Sequence, residues 1–150
     1  MPGSNLVVVK RALIVALPGL VGIPFDYSYR GKIHEGSREG YGYLGGRGGG
    51  PMQAAAMAGG ARFTRQEDPT FELAIEARLP GQDTTEAVEA LVLEHGRKVE
   101  EYLAGNWQLG KDIPGLLKVV ITDFELVSAP DDDGADATLS YSLQAESHVR

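Results

Sequence analysis

Apolar residues recur along this chain at two different spacings, and each change of spacing marks an element. Near the N-terminus Leu6, Val9, Leu13 and Leu17 fall close to a helical period. This predicts a first helix with Ser4 or Asn5 as its cap and Pro18-Gly19 as its stop. The β-branched run Val7-Val8-Val9 works against that helix through lost rotamer freedom. From Phe25 the pattern alternates instead. Phe25, Tyr27 and Tyr29 share one side of a predicted strand, with Asp26, Ser28 and Arg30 on the other, and Tyr41 and Tyr43 alternate with glycines over Gly40 to Leu44. Ala61 to Gln66 and Thr70 to Leu79 also read as strands, the second with Phe71, Leu73, Ile75, Ala77 and Leu79 facing inward. Pro69 between them predicts a bulge, an edge or a break.

A helical period returns over Thr84 to Ala104, where Val88, Leu91, Val92, Val99 and Leu103 form one stripe that must cover a sheet. Asp83 and Glu86 have the form of a capping box, and Gly105 offers a left-handed stop. Gly96 in mid-helix costs about 1 kcal/mol relative to alanine, so its use there points to close packing. The last third reads as a hairpin. Leu117 to Val127 switches parity near Thr122-Asp123, which predicts a bulge, and Ala137, Leu139, Tyr141, Leu143 and Ala145 alternate with polar residues. Pro130 to Gly134 supplies the turn between them. The order helix, strands, helix, strands predicts an α+β fold: a largely antiparallel or mixed sheet with the N-terminal helix and one long helix packed on one face.

One span fits none of these periods. Gly45 to Gly60 reads GGRGGGPMQAAAMAGG, with seven glycines and two methionines as its only large apolar side chains. Ordering it would cost roughly 16–30 kcal/mol at about 1–2 kcal/mol per residue, against about 3–6 kcal/mol from burying two methionines. A long Gly-rich loop is therefore expected, ordered by a partner or closing as a lid.

Composition narrows the function classes. The chain has 150 residues, is 43% hydrophobic and suits one domain spanning 1–150. A net charge of -7 argues against wrapping nucleic-acid phosphates, and the absence of cysteine excludes disulfides, thiolate metal sites and cysteine nucleophiles. Lys10-Arg11 followed by an apolar stretch imitates a secretory signal, but Pro24 follows Ile23 with no small-x-small cleavage site, and the stretch is too short for a membrane anchor.

Candidate chemistry is sparse. The Gly-rich span lacks the Gly-Lys-Ser/Thr ending of a phosphate loop. With Gly134 at the sixth position of a calcium loop, Ala129 and Ser140 would occupy the first and twelfth, so Asp131, Asp132, Asp133 and Asp136 read as a solvated turn. His34, His95 and His148 show no metal spacing, and His95 reads as a packed or half-exposed helix residue. Glu35, Glu39, Glu67 and Asp68 lie in or beside polar loops, where no burial signal prepares them for acid–base work. No catalytic, cofactor or metal residue is expected, and the chain is not read as an enzyme.

The segment order and several short stretches are similar to a known family. The helix closing at Leu-Pro-Gly-Leu-Val-Gly-Ile, the strand PFDYSY, Ser37-Arg38-Glu39 leading into YGYLG, the strand FELAIEARL, the helix EAVEALVLEHGRKVEEYLAGN and a closing hairpin with an acidic turn together resemble the tail terminator (tail completion) proteins of long-tailed bacteriophages. The long Gly/Ala/Met insertion departs from that pattern. The resemblance implies a virion protein of the tail and neck, made in the host cytoplasm, that forms a homohexameric ring on the tail tube and stops its polymerisation. Its implied partners are other copies of itself, the major tail tube protein and a head–tail connector or neck protein, with DNA only as cargo passing through the lumen and no membrane. Assembly contacts are expected from the Gly-rich span and its flank, at Arg47, Met52, Met57 and Arg62. The competing expectations are another phage neck or tail-tube component, and a small enzyme with residues 45–60 as its lid.

Overall fold

A computed structural model of the chain describes residues 6–29, 38–49, 52–58, 62–106, 109, 113 and 115–149. Two helices, α1 (Leu6–Val21) and α2 (Thr85–Gly105), pack against a mixed sheet. Its strands are β1 (Phe25–Asp26), β2 (Arg38–Gly49), β3 (Met52–Ala58), β4 (Arg62–Glu67), β5 (Thr70–Pro80), β6 (Leu116–Pro130) and β7 (Gly134–Val149). The expected α+β class, with both helices against the sheet, is the observed one.

The body of the sheet runs β1-β2-β5-β7-β6. β1 is parallel to β2, whereas β2·β5, β5·β7 and β6·β7 are antiparallel. Leu73 and Ile75 of β5 share a face with Leu139, Tyr141 and Leu143 of β7, and this face meets the α2 stripe of Val88, Val92, Val99 and Leu103 in one core. From α1, Val9, Leu13, Leu17 and Val21 enter the same core at regular four-residue intervals.

That interval explains the first departure from expectation. α1 continues through Pro18 to Val21, because Leu17 and Val21 are both buried and their packing outweighs the ladder bond that proline cannot make. The stop is Gly22, whose φ of 85° is left-handed and whose N–H donates to the Pro18 carbonyl at 3.0 Å. Ser4 and Asn5 lie outside the described residues. β1 covers only Phe25 and Asp26 of the strand expected over 25–30: Phe25 enters the core, while Tyr29 packs at a tilt against Tyr43 on the opposite face.

At α2 the expected capping box is absent. Thr84 occupies the N-cap with no side-chain bond to the helix, and Asp83 takes a φ of 57° in the preceding turn. Gly105 belongs to the helix, and Asn106 caps it without a left-handed residue. Gly96 does mark close packing. A Cβ there would overlap Tyr141 Oη and lie 2.5 Å from Leu139 Cδ2. In β6 the bulge between Ile121 and Asp123 falls where the parity switch predicts it. A second shift between Leu116 and Lys118 buries Leu116 and leaves Leu117 exposed, although Leu117 shares the sequence parity of the buried Val119.

The largest correction concerns the Gly-rich span. Residues 45–49 continue β2 and residues 52–58 form β3, so strands stand where a long loop was expected. Gly49 lies opposite Thr70 and Met52 opposite Glu67, with no residue gained or lost between the two pairs. Across the sheet, Thr70 opposite Gln144 and Glu67 opposite Ser147 also keep one register through Asp68-Pro69. β2–β3 and β4–β5 are therefore the two sides of one long hairpin. Backbone ladder bonds hold glycine and alanine in a strand although neither has a side chain that announces one.

Pro69 interrupts this ladder without breaking it. Its carbonyl accepts the Ala145 N–H at 2.9 Å, but it has no N–H to return to Ala145. The Ala145 carbonyl instead accepts Ser147 Oγ at 3.5 Å, which gives the fully buried Ser147 a partner.

Candidate functional site

The distal part of the hairpin, β3 with β4, forms an arm that runs past the body of the sheet. Only Arg65, Gln66 and Glu67 of β4 pair with β7, at its C-terminal end, while β3 has no partner except β4 among the described residues. Met52 lies opposite Glu67, Met57 opposite Phe63 and Ala58 opposite Arg62, and Arg47 falls in the irregular stretch of β2 between Leu44 and Gly48. Three of the four expected contact positions, Met52, Met57 and Arg62, thus belong to the arm, and Arg47 lies on the strand that leads into it. Their side chains lie outside the described residues.

Lys10 of α1 ties the helix to β2 of the sheet body. It is buried, its Nζ donates to the Gly45 carbonyl at 3.3 Å, and it lies 5.4 Å from the Tyr27 ring centroid and 6.0 Å from that of Phe71. Loss of hydration lowers its pKa below the ordinary lysine value.

On the sheet face away from the helices, Tyr29, Tyr41 and Tyr43 form a ring cluster, with centroids 4.7 Å apart for Tyr29–Tyr43 and 5.7 Å for Tyr41–Tyr43. Tyr43 Oη donates to Glu76 Oε1 at 2.9 Å, and Tyr41 Oη donates to the Ser28 carbonyl at 3.3 Å. Burial and then the Glu76 contacts raise the Tyr43 pKa, so this phenol keeps its proton and acts as a donor. Beside it Arg78 Nη1 reaches Asp131 Oδ2 at 2.8 Å and Asp136 Oδ1 at 2.6 Å. Arg78, followed by the Asp133 N–H, holds the Asp131 carboxyl down to about 2. Asp131 Oδ1 also accepts the N–H groups of Asp133 and Gly134 at 2.9 and 2.8 Å. The acidic cluster is thus the built turn of the β6–β7 hairpin, clamped to β5 by one guanidinium.

Among the described residues, no group of three or more His, Cys, Asp or Glu is placed to hold a metal ion, and no helix is long and apolar enough to cross a membrane. His95 is a packed residue, 8% exposed, and a Cβ at Gly40 would come 2.9 Å from its Nε2. His34 and Glu35 lie outside the described residues, as do the side chains of Glu39, Glu67 and His148.

A cleft of about 440 Å³ opens between the end of α2 and β6, lined by Glu100, Leu103, Ala104 and residues 118–121. Glu100 Oε2 accepts Tyr141 Oη at 2.9 Å at its inner wall, and Lys118 at its rim pairs with Glu146 at 3.4 Å.

β6 is itself an open edge. Its 15 residues pair only with β7 among the described strands, and Leu117, Phe124 and Val127 along it are exposed at 47, 64 and 55%. Register puts Phe124 beside Tyr141 on the helix side and Val127 beside Thr138 on the other, so both faces of this edge carry apolar surface. β4 to β7 and the first half of β2 were legible in the sequence, whereas β3 was not. The arm and the open edge depend on which strands neighbour each other, which a single strand's alternation does not encode. No protein-family model matches this chain, and no curated protein matches it.

Proposed function

We propose that this chain is a structural virion subunit, a phage tail terminator that caps the tail tube as a homomeric ring, stops tube polymerisation and offers a joining surface to the head connector. The observation that carries the reading is an α+β body with a hairpin arm running past its sheet on one side and a strand edge, β6, with no further partner among the described residues on the other. Such a subunit presents two different surfaces, and heterologous contacts between unlike surfaces close into rings when the rotation permits. The element order that resembles the terminator family supplies the biological setting, with a hexamer as the symmetry suited to a capped tube. The major tail tube protein and a head–tail connector are its partners in this reading, the virion neck its location and the host cytoplasm its site of assembly. It carries out no catalysis.

The test is deletion of its gene from the parent phage, followed by negative-stain imaging of the tails. Abnormally long tubes without heads are expected, with rescue by the intact gene in trans. Tubes of normal length that only fail to join heads would identify a neck component instead. Uniformly normal, head-attached tails would overturn the proposal.

A further inference from the structure

We infer that α1 of one copy docks, outward face first, into the groove between α2 and β6 of a second copy. This contact gives the proposed ring its interface and rests on that reading only for ring closure.

The composition of α1 is unlike that of a surface helix. Of its 16 residues only Lys10 and Arg11 are polar, and Lys10 is buried. The outward face therefore carries Arg11 among Val7, Val8, Val15 and Leu20, which are exposed at 49 to 68%. A helix that is apolar on all sides is ordinarily buried on all sides. One side of α1 covers the sheet, and the other stands in solvent.

The groove lies on the same face of the sheet, at its other lateral end. α1 packs over β1 and ties to β2, whereas the cleft lies between α2 and β6, in a sheet ordered β1-β2-β5-β7-β6. Beyond the cleft, Phe124 is exposed on the helix side of β6, and Leu93 is exposed on α2, on one helical stripe with Glu100 and Ala104. Together they prolong the cleft as an apolar groove. Copies placed side by side bring α1 of one against this groove of the next, a heterologous contact that leaves one helix and one groove free until a ring closes.

The two surfaces also stand at one level along the strands. Phe71, Leu143 and Ile121 form a row across β5, β7 and β6, and Lys10 lies 6.0 Å from the Phe71 ring. Phe25, Gly42, Ile75, Leu139 and Leu126 form a second row, which the chain reaches directly after α1. α1 thus runs beside the stretch of sheet that β6 covers from Ile121 to Leu126, in the same direction. A neighbour set edge to edge without a shift along the strands brings Arg11 level with Ile121 and the cleft, and Val15, about 6 Å further along the helix, toward Phe124.

Charge selects the groove over a second α1. No carboxylate precedes Asp26, so the α1 end is cationic in a chain whose net charge is -7. Around the groove the cations are already held: Arg97 by Glu94 and Glu101, and Lys118 by Glu146. Glu100 lines the cleft, and a carboxylate accepts several donors, so it can take Arg11 beside the Tyr141 hydroxyl. Two α1 helices face to face would instead put Arg11 of both copies into one interface with no carboxylate.

Glutamate substitutions at exposed positions of the full chain test this by analytical ultracentrifugation. Val15→Glu and Phe124→Glu are each expected to raise the dissociation constant for self-association at least about tenfold, because each puts an unpaired carboxylate into apolar contact surface. Val127→Glu, on the other face of β6, is expected to leave it within about twofold. The Val15→Glu chain keeps its groove and the Phe124→Glu chain keeps its helix, so an equimolar mixture is expected to form heterodimers that neither variant forms alone. A wild-type chain that stays monomeric up to its solubility limit overturns the inference. So does a loss of association with Val15→Glu and not with Phe124→Glu, as two α1 faces in contact would give, or Val15-dependent binding to phosphatidylglycerol–phosphatidylcholine vesicles in place of self-association. Normal capping of tails by both variants overturns it while sparing the terminator function. Heterodimers in the mixture, from a protein whose deletion leaves tails normal, do the reverse.

Discussion

Replacing Gly96 by alanine sets two physical effects against each other, and the structure decides between them. In an exposed helix the change would stabilise by about 1 kcal/mol, because glycine is the poorer helix former. At this position the new methyl group would overlap Tyr141 Oη and approach Leu139 Cδ2 to 2.5 Å. Neither neighbour has room to retreat: Leu139 is fully buried in β7, and Tyr141 is held by its bond to Glu100 Oε2 at 2.9 Å. Overpacking of this kind costs about 1–3 kcal/mol, and displacing the hydroxyl from a carboxylate forfeits about 1.5–3 kcal/mol more. After the propensity gain, Gly96→Ala should destabilise the fold by about 1.5–5 kcal/mol.

The assay is urea unfolding followed by far-ultraviolet circular dichroism, repeated in a Tyr141→Phe background. Without the hydroxyl, the main overlap and the bond to Glu100 are already gone. Gly96→Ala should then cost only about 0–2 kcal/mol, leaving a coupling of about 1.5–3 kcal/mol in the double-mutant cycle. A higher midpoint for Gly96→Ala in the wild-type background would refute the close approach of α2 to β7. Equal costs in both backgrounds would refute the role given to the hydroxyl.

Two further predictions follow from burial and charge. Leu139→Ala should cost about 2–5 kcal/mol through lost burial and a residual cavity, whereas Ser140→Ala on the opposite face should stay within about 0.5 kcal/mol; a reversed order of unfolding midpoints would reverse the assigned facing of β7. Asp131, held at about 2 against an ordinary value of 3.8, binds its proton later in the folded chain than in the unfolded one. Its contribution is therefore complete above pH 3.8 and lost as pH falls from 3.8 toward 2, so Asp131→Asn should flatten the acid limb of a stability–pH profile measured by thermal unfolding, and an unchanged limb would refute the Arg78 clamp.

Local chemistry was legible where one side chain decides it. The α2 stripe, the inward parity of β5 and β7, the bulge before Asp123 and the tight fit at Gly96 all follow from residues whose size or facing is visible in the sequence. Misreadings arose where a distant partner decides. Pro18 is a strong stop by itself, yet Leu17 and Val21 are buried on either side of it and carry α1 past it. Leu117 shares the sequence parity of the buried Val119, yet a register shift at the start of β6 leaves it exposed. Tyr43 and Glu76 lie far apart in sequence, and only the β2–β5 register brings phenol and carboxylate to 2.9 Å.

The Gly-rich segment shows why side-chain inventory underestimates a strand. Entropy against methionine burial leaves the span without enough apolar surface to order itself. That reckoning omits the backbone, whose ladder partners β4 and β5 lie immediately downstream, so that closing the hairpin needs only a short connection. Glycine and alanine do not oppose such pairing sterically, and they leave a strand with little bulk to specify one neighbour over another.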